Sequence, residues 1–222
     1  MNLINIIQSG LRLKKIANKT GMVATFAAVL FGALLIWLLY SDYTLNQVLC
    51  NRNKNTGLWT FRDLLSNSSI YGWTLALLLT IITLFIKNKH TPQWTSYFVY
   101  TGLLSLILLL DDYYMIPSIY VHPWICYLIY FLLGLVFILR HYREIVEANP
   151  FAFLGTAGLL VLSVITNLMH AYFPWSASIP LVIIAGSKFM ATVLWLYFIF
   201  NSFTAALAAD EKKSDVSSGF FQ

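Results

Sequence analysis

The sequence predicts an all-α integral membrane protein, a six-transmembrane-helix bundle with an N-terminal amphipathic interfacial helix. Three observations predict it. The 222 residues are 59% hydrophobic and 10% charged, whereas about 25% of residues are charged in an ordinary soluble domain. The apolar residues fall into six runs, each near the length of about 20 residues that a helix needs to cross a hydrocarbon core. Basic residues gather at alternate connections between those runs, as the positive-inside rule requires of a polytopic chain. Mean hydropathy is +0.72, and seven Trp suit helix ends at headgroup level.

The chain divides into residues 1–21, 22–207 and 208–222. Met1–Gly21 carries Arg12, Lys14, Lys15 and Lys19 with no acid. Leu3, Ile6, Ile7, Leu11 and Leu13 give it a partly amphipathic pattern, which reads as a helix lying on the inner leaflet or as a frayed basic tail. It lacks the early apolar core and small-residue site of a cleavable signal, so the first span is expected to be retained.

The six spans are Met22–Tyr40, Ile70–Ile86, Gln93–Leu110, Trp124–Leu139, Phe151–Tyr172 and Ile179–Leu207. Lys87 and Lys89 follow the second, Arg140 and Arg143 the fourth, and Lys212 and Lys213 the sixth. Together with the basic N-terminus they fall on one side, which is expected to be cytoplasmic, with both termini there. The loop after the first span has mixed charge, and its Leu58–Leu65 stretch reads as a short interfacial helix. Asn67-Ser68-Ser69 is a glycosylation sequon, relevant only in a glycosylating host. Cys50 and Cys126 are expected as separate free thiols, a disulfide being the alternative. Pro123, Pro150 and Pro180 sit at helix starts, where the missing N–H costs nothing. Ala28 with Gly32, and Gly155 with Gly158, have the spacing of tight helix contacts. The tail from Ala208 to Gln222 is polar and expected to be disordered.

Lys188 is the only charge in Ile179–Leu207. A cation at the centre of a span costs roughly 2.5–3.5 kcal/mol on insertion scales, so neighbouring helices are expected to supply company for it. Six residues are candidates for a polar pocket in the outer half of the bundle: Asp111, Asp112, His122, Asn167, His170 and Lys188. Lys188 would lie about 13 Å down at 1.5 Å per residue, and its stem can reach outward. Helical spacing supports the convergence. Thr156, Ser163, Asn167 and His170 share one face, as do Thr101, Ser105 and Asp112, then Lys188, Thr192 and Trp195, then His122, Cys126 and Tyr130. Each has a bland alternative. The aspartates can end a helix at the water interface, His122 can cap one, and Asn167, Ser163 and His170 can bond a neighbouring helix. His90 and His141 flank the basic ends and are expected to be solvated.

Asp111-Asp112 closing the third span, and Gly186-Ser187-Lys188-Phe189 leading to Trp195-Leu196, one further residue and Phe198 in the last, resemble an uncharacterised group of bacterial multi-pass membrane proteins. The resemblance covers about half the chain. Members of that group carry His-Glu soon after the aspartates and acids just before the glycine. Here Ile116, Pro117, Ile184 and Ala185 stand in those places. The resemblance implies no function, and the missing acids count against a metal site.

Three function classes remain. A non-enzymatic subunit or accessory of a larger membrane assembly asks least of the sequence, with Lys188 in an internal ion pair. A small-solute or ion transporter would use the outward pocket around Lys188, although no inverted repeat appears and only Gly186 interrupts a span near mid-membrane. A membrane-embedded metal-dependent hydrolase would use the outer His and Asp residues, as alkaline-ceramidase-like hydrolases use His, Asp and Ser, but no HxxxH spacing is present. A retinal-type Schiff base on Lys188 is disfavoured by six spans and by the lack of an aspartate one turn away. The expected partners are the lipid bilayer and other membrane subunits, not nucleic acid. No catalytic residue or metal ligand is assigned, and the sequence leaves any cofactor unknown. A bacterial inner membrane is the expected location.

Overall fold

The computed structural model describes residues 3–40, 67–86, 92–114, 123–172 and 178–218. Six helices carry this part of the chain: α1 (Leu3–Tyr40), α2 (Ser68–Ile86), α3 (Pro92–Tyr114), α4 (Pro123–Ala148), α5 (Pro150–Tyr172) and α6 (Ser178–Ser218). Each contains a stretch long and apolar enough to cross a membrane. Proline opens α3, α4 and α5, where its fixed φ favours the first helical residue and its missing N–H is no loss. Only Asn149 separates α4 from α5, and its N–H donates to the Ile145 carbonyl at 3.1 Å.

Two boundaries differ from the sequence reading. α1 runs without a break through Gly21, so residues 3–21 continue into the first span and are not a separate helix. The local residues favour continuation, since Lys14, Lys15 and Ala17 are good helix formers, and Thr20 bonds back to the Ile16 carbonyl at 3.0 Å. α6 likewise continues to Ser218, through a stretch that was expected to be disordered. The expected interfacial helix at Leu58–Leu65, and Cys50, His90 and His122, lie outside the described residues.

The helices form two compact units. The first holds α1, α5 and α6 as far as Trp195. Its apolar centre is Phe31, packed against Leu34, Leu35, Val182, Ala185 and Phe189, with the Phe31 and Phe189 rings 5.7 Å apart. Gly186 makes this seat. A Cβ there would lie 3.1 Å from the edge of the Phe31 ring. The helix is regular at Gly186, so this glycine is a packing surface rather than the mid-span interruption expected. Gly155 plays a similar part against the tip of Leu194, beside fully buried Ala152 and Ala191. Small residues let helix backbones approach where lipid removes the hydrophobic drive to associate.

The expected partners of these contacts do not take part. Gly32 and Gly158 face open space, and Ala28 is exposed while Ala27 is fully buried. Gly186→Leu is therefore expected to destabilise the chain by about 1–3 kcal/mol through overpacking. Gly158→Leu should stay within about 0.5 kcal/mol of the parent. Reversible unfolding in mixed micelles measures both.

The second unit holds α2 from Ile70, α3, α4 and α6 from Leu196. α3 is its hub. It packs on α4, it meets α2 where Gly102 faces Thr80, and it reaches α6 through Tyr97 and Ser202. α2 turns Trp73, Ala76, Thr80 and Thr83 inward, at the three- and four-residue spacing of one helical face. Outward faces are strongly apolar: Met22 is 72% exposed, Phe85 82% and Phe131 65%. Water would penalise such a surface, and lipid would not.

Candidate functional site

Most of the buried hydroxyls are turned back on their own helices. Thr101, Ser105, Thr156, Thr192 and Ser202 each donate to the carbonyl four residues earlier, at 2.8–2.9 Å. Ser187 does the same to Ile183. Such back-bonding satisfies a hydroxyl within its own helix. These stripes therefore pack as small, nearly apolar surfaces. Thr156 also points to the Ala191 carbonyl at 3.4 Å, a weak tie between α5 and α6.

Asp111 and Asp112 lie in the last turn of α3, where the helix dipole disfavours negative charge. Each is half-buried and receives an aromatic donor from another helix. Trp73 of α2 donates through Nε1 to Asp112 Oδ2 at 3.0 Å. Tyr130 of α4 donates through its hydroxyl to Asp111 Oδ1 at 2.9 Å. Bonds to a charged acceptor are shorter and stronger than neutral ones. The two adjacent carboxylates thus splay apart and fasten α3 to α2 and to α4. Cys126, one turn before Tyr130, is buried and free.

Asn167, His170 and Lys188 belong to the first unit, while the aspartates belong to the second. Asn167 is exposed, although Thr156 and Ser163 on its expected face are buried. His170 is in the last turn of α5. Lys188 is half-buried in α6. Among the described residues no three of His, Cys, Asp and Glu are grouped to hold a metal ion.

A second polar cluster sits at the opposite end of α3, and the sequence reading missed it. Tyr97 is fully buried, with its hydroxyl 2.7 Å from Ser202 Oγ. Since Ser202 spends its one proton on the Phe198 carbonyl, Tyr97 is the donor. Around it stand the rings of Trp94, Phe98, Phe137 and Phe198, with centroids 5.3–6.3 Å away.

His141 completes the cluster. It is 3% exposed, against the expectation of a solvated residue. Its ring lies 5.3–5.6 Å from Tyr97, Tyr100 and Phe137. α4 is kinked there, with φ −121° and ψ 26° at His141. Nδ1 is 3.8 Å from Glu144 Oε2, too long for a hydrogen bond, and Nε2 is buried with no partner. An unsatisfied buried polar atom costs about 1–3 kcal/mol. The signal was present in the sequence: Phe137, His141 and Ile145 repeat every four residues, and all three are buried.

Beside His141 lies an open cavity of about 530 Å³ lined by Gln93, Ser96, Arg140, Arg143 and Glu144. Arg140 is held in place by Tyr100. Its guanidinium carbon stands 5.1 Å from the ring centroid, and Nη1 donates to the tyrosine hydroxyl at 3.2 Å.

Among the described residues the fold is all-helical, with six helices each fit to cross a membrane, and within the second unit α3 is tied to α2, α4 and α6 by aromatic–carboxylate and hydroxyl bonds. The chain belongs to the family of the domain of unknown function DUF8692, which matches residues 22–202 and so takes in part or all of every helix. No curated protein and no solved structure matches the chain.

Proposed function

We propose that this is a non-enzymatic integral membrane protein acting as a subunit or accessory of a larger membrane assembly. The observation that carries the reading is the use made of Asp111 and Asp112. Both accept hydrogen bonds from aromatic donors on neighbouring helices, so they serve as fastenings between helices. The buried hydroxyls are likewise turned back on their own helices. The location that suits these features is a bacterial inner membrane, in keeping with the resemblance to bacterial multi-pass proteins. Arg140, Arg143 and the lysines of α1 favour a cytoplasmic position for both termini.

Purification of the full chain in a gentle detergent tests this. Stoichiometric partners should co-purify and survive a salt wash. A lone, monodisperse monomer from its native membrane would overturn the reading.

A further inference from the structure

We propose that the cavity at the junction of α3 and α4 binds the phosphodiester headgroup of a membrane phospholipid. The inference rests on the membrane-spanning reading, and not on the subunit role. Two arginines, Arg140 and Arg143, and one carboxylate, Glu144, line the cavity, which leaves one net positive charge for a singly charged phosphodiester. Arg140 is pre-positioned by Tyr100 and spends one of its five N–H donors there, so the rest of its fork is free to take phosphate oxygens. Gln93 and Ser96 add neutral polar groups from α3.

The rim identifies the source of the phosphate. Leu139 and Tyr142 border the same cavity and are 74% and 64% exposed. A free anion gains nothing from such a rim. A lipid does, because its glycerol and first acyl carbons would lie along it while the headgroup enters. Basic pockets between helices at a membrane face are a recognised form of headgroup site. His141 also lines the cavity, and its Nε2 is buried without a partner.

The test is native mass spectrometry of the full chain in non-ionic detergent, titrated with phosphatidylglycerol, phosphatidylethanolamine or diacylglycerol. One phospholipid per chain should be retained, and diacylglycerol should not. Arg140→Gln/Arg143→Gln should weaken retention at least about tenfold, equivalent to about 1.4 kcal/mol. Ser96→Trp, which fills the cavity from α3, should do the same. Lys14→Gln/Lys15→Gln, which removes equal charge elsewhere, should not. Equal retention by the arginine and Ser96 variants, or retention of diacylglycerol, would overturn the proposal. So would displacement of lipid by millimolar inorganic phosphate, which would assign the cavity to a free anion. Carbonate washing of the parent membranes reads membrane insertion separately, so a failed lipid site is distinguishable from a failed membrane assignment. Release by carbonate would remove both.

Discussion

Trp73→Ala is expected to destabilise the chain by about 3–5 kcal/mol. Two losses combine in it. The indole is 1% exposed, so truncation leaves a large void on the inner face of α2. Asp112 also loses the donor that reaches it from that helix. In lipid the transfer part of the penalty shrinks, because acyl tails are as apolar as the helix interface. The void keeps its cost, since the lining atoms forfeit their dispersion contacts. The low end of the range is therefore the better expectation. Trp73→Phe separates the two parts: it keeps most of the ring and removes the N–H, for a loss of about 1–2 kcal/mol. Asp112→Asn keeps an acceptor oxygen and should cost less than Asp112→Ala. Reversible unfolding in mixed micelles gives each value. If Trp73→Phe and Asp112→Ala proved additive in the double variant, the bond would not be the fastening described above.

The helix positions were legible because a run of apolar residues of membrane length needs no tertiary information to be recognised. All six spans coincide with helices, with small shifts at most ends. The ends that shifted most are those where hydropathy changes but no proline interrupts the backbone. α1 passes from a basic stretch into an apolar one at Gly21 without leaving the helix, and α6 runs beyond its alanine-rich turn at Ala205–Ala209 to Ser218. Hydropathy reports where lipid begins, whereas the hydrogen-bonded ladder stops only where the backbone is interrupted.

Facing was legible in part, and its failures share a cause. The four-residue period correctly turned Thr101, Ser105, Thr156, Ser163, Thr192 and Trp195 inward. It turned Asn167 inward too, but periodicity gives a face and not the length over which a neighbour covers it. His141 stands beside Arg140 and Arg143 at a basic span end, and that setting masks the apolar positions one turn to either side. The partners of the aspartates were beyond reach. Trp73 and Tyr130 lie 39 and 19 residues from the carboxylates they bond, and no local pattern links residues so far apart on different helices.

Tyr97 offers the sharpest measure of how the second unit holds together. Tyr97→Ala removes a fully buried ring that touches five others, and should cost about 3–5 kcal/mol. The smaller changes are more telling, because the direction of the Tyr97–Ser202 bond makes them unequal. Tyr97→Phe removes the donor but leaves the Ser202 proton on the Phe198 carbonyl, so only a spare acceptor site goes unused. That loss should be about 0.5–1 kcal/mol, in line with interhelical bonds in membranes. Ser202→Ala strands the fully buried Tyr97 hydroxyl from its Ser202 acceptor, and should cost about 1–3 kcal/mol. Adding Tyr97→Phe to Ser202→Ala removes the stranded group, so the double variant should recover stability relative to Ser202→Ala alone. Were Tyr97→Phe the more damaging single change, the proton would run from serine to tyrosine, and the cluster would be fastened in the reverse sense.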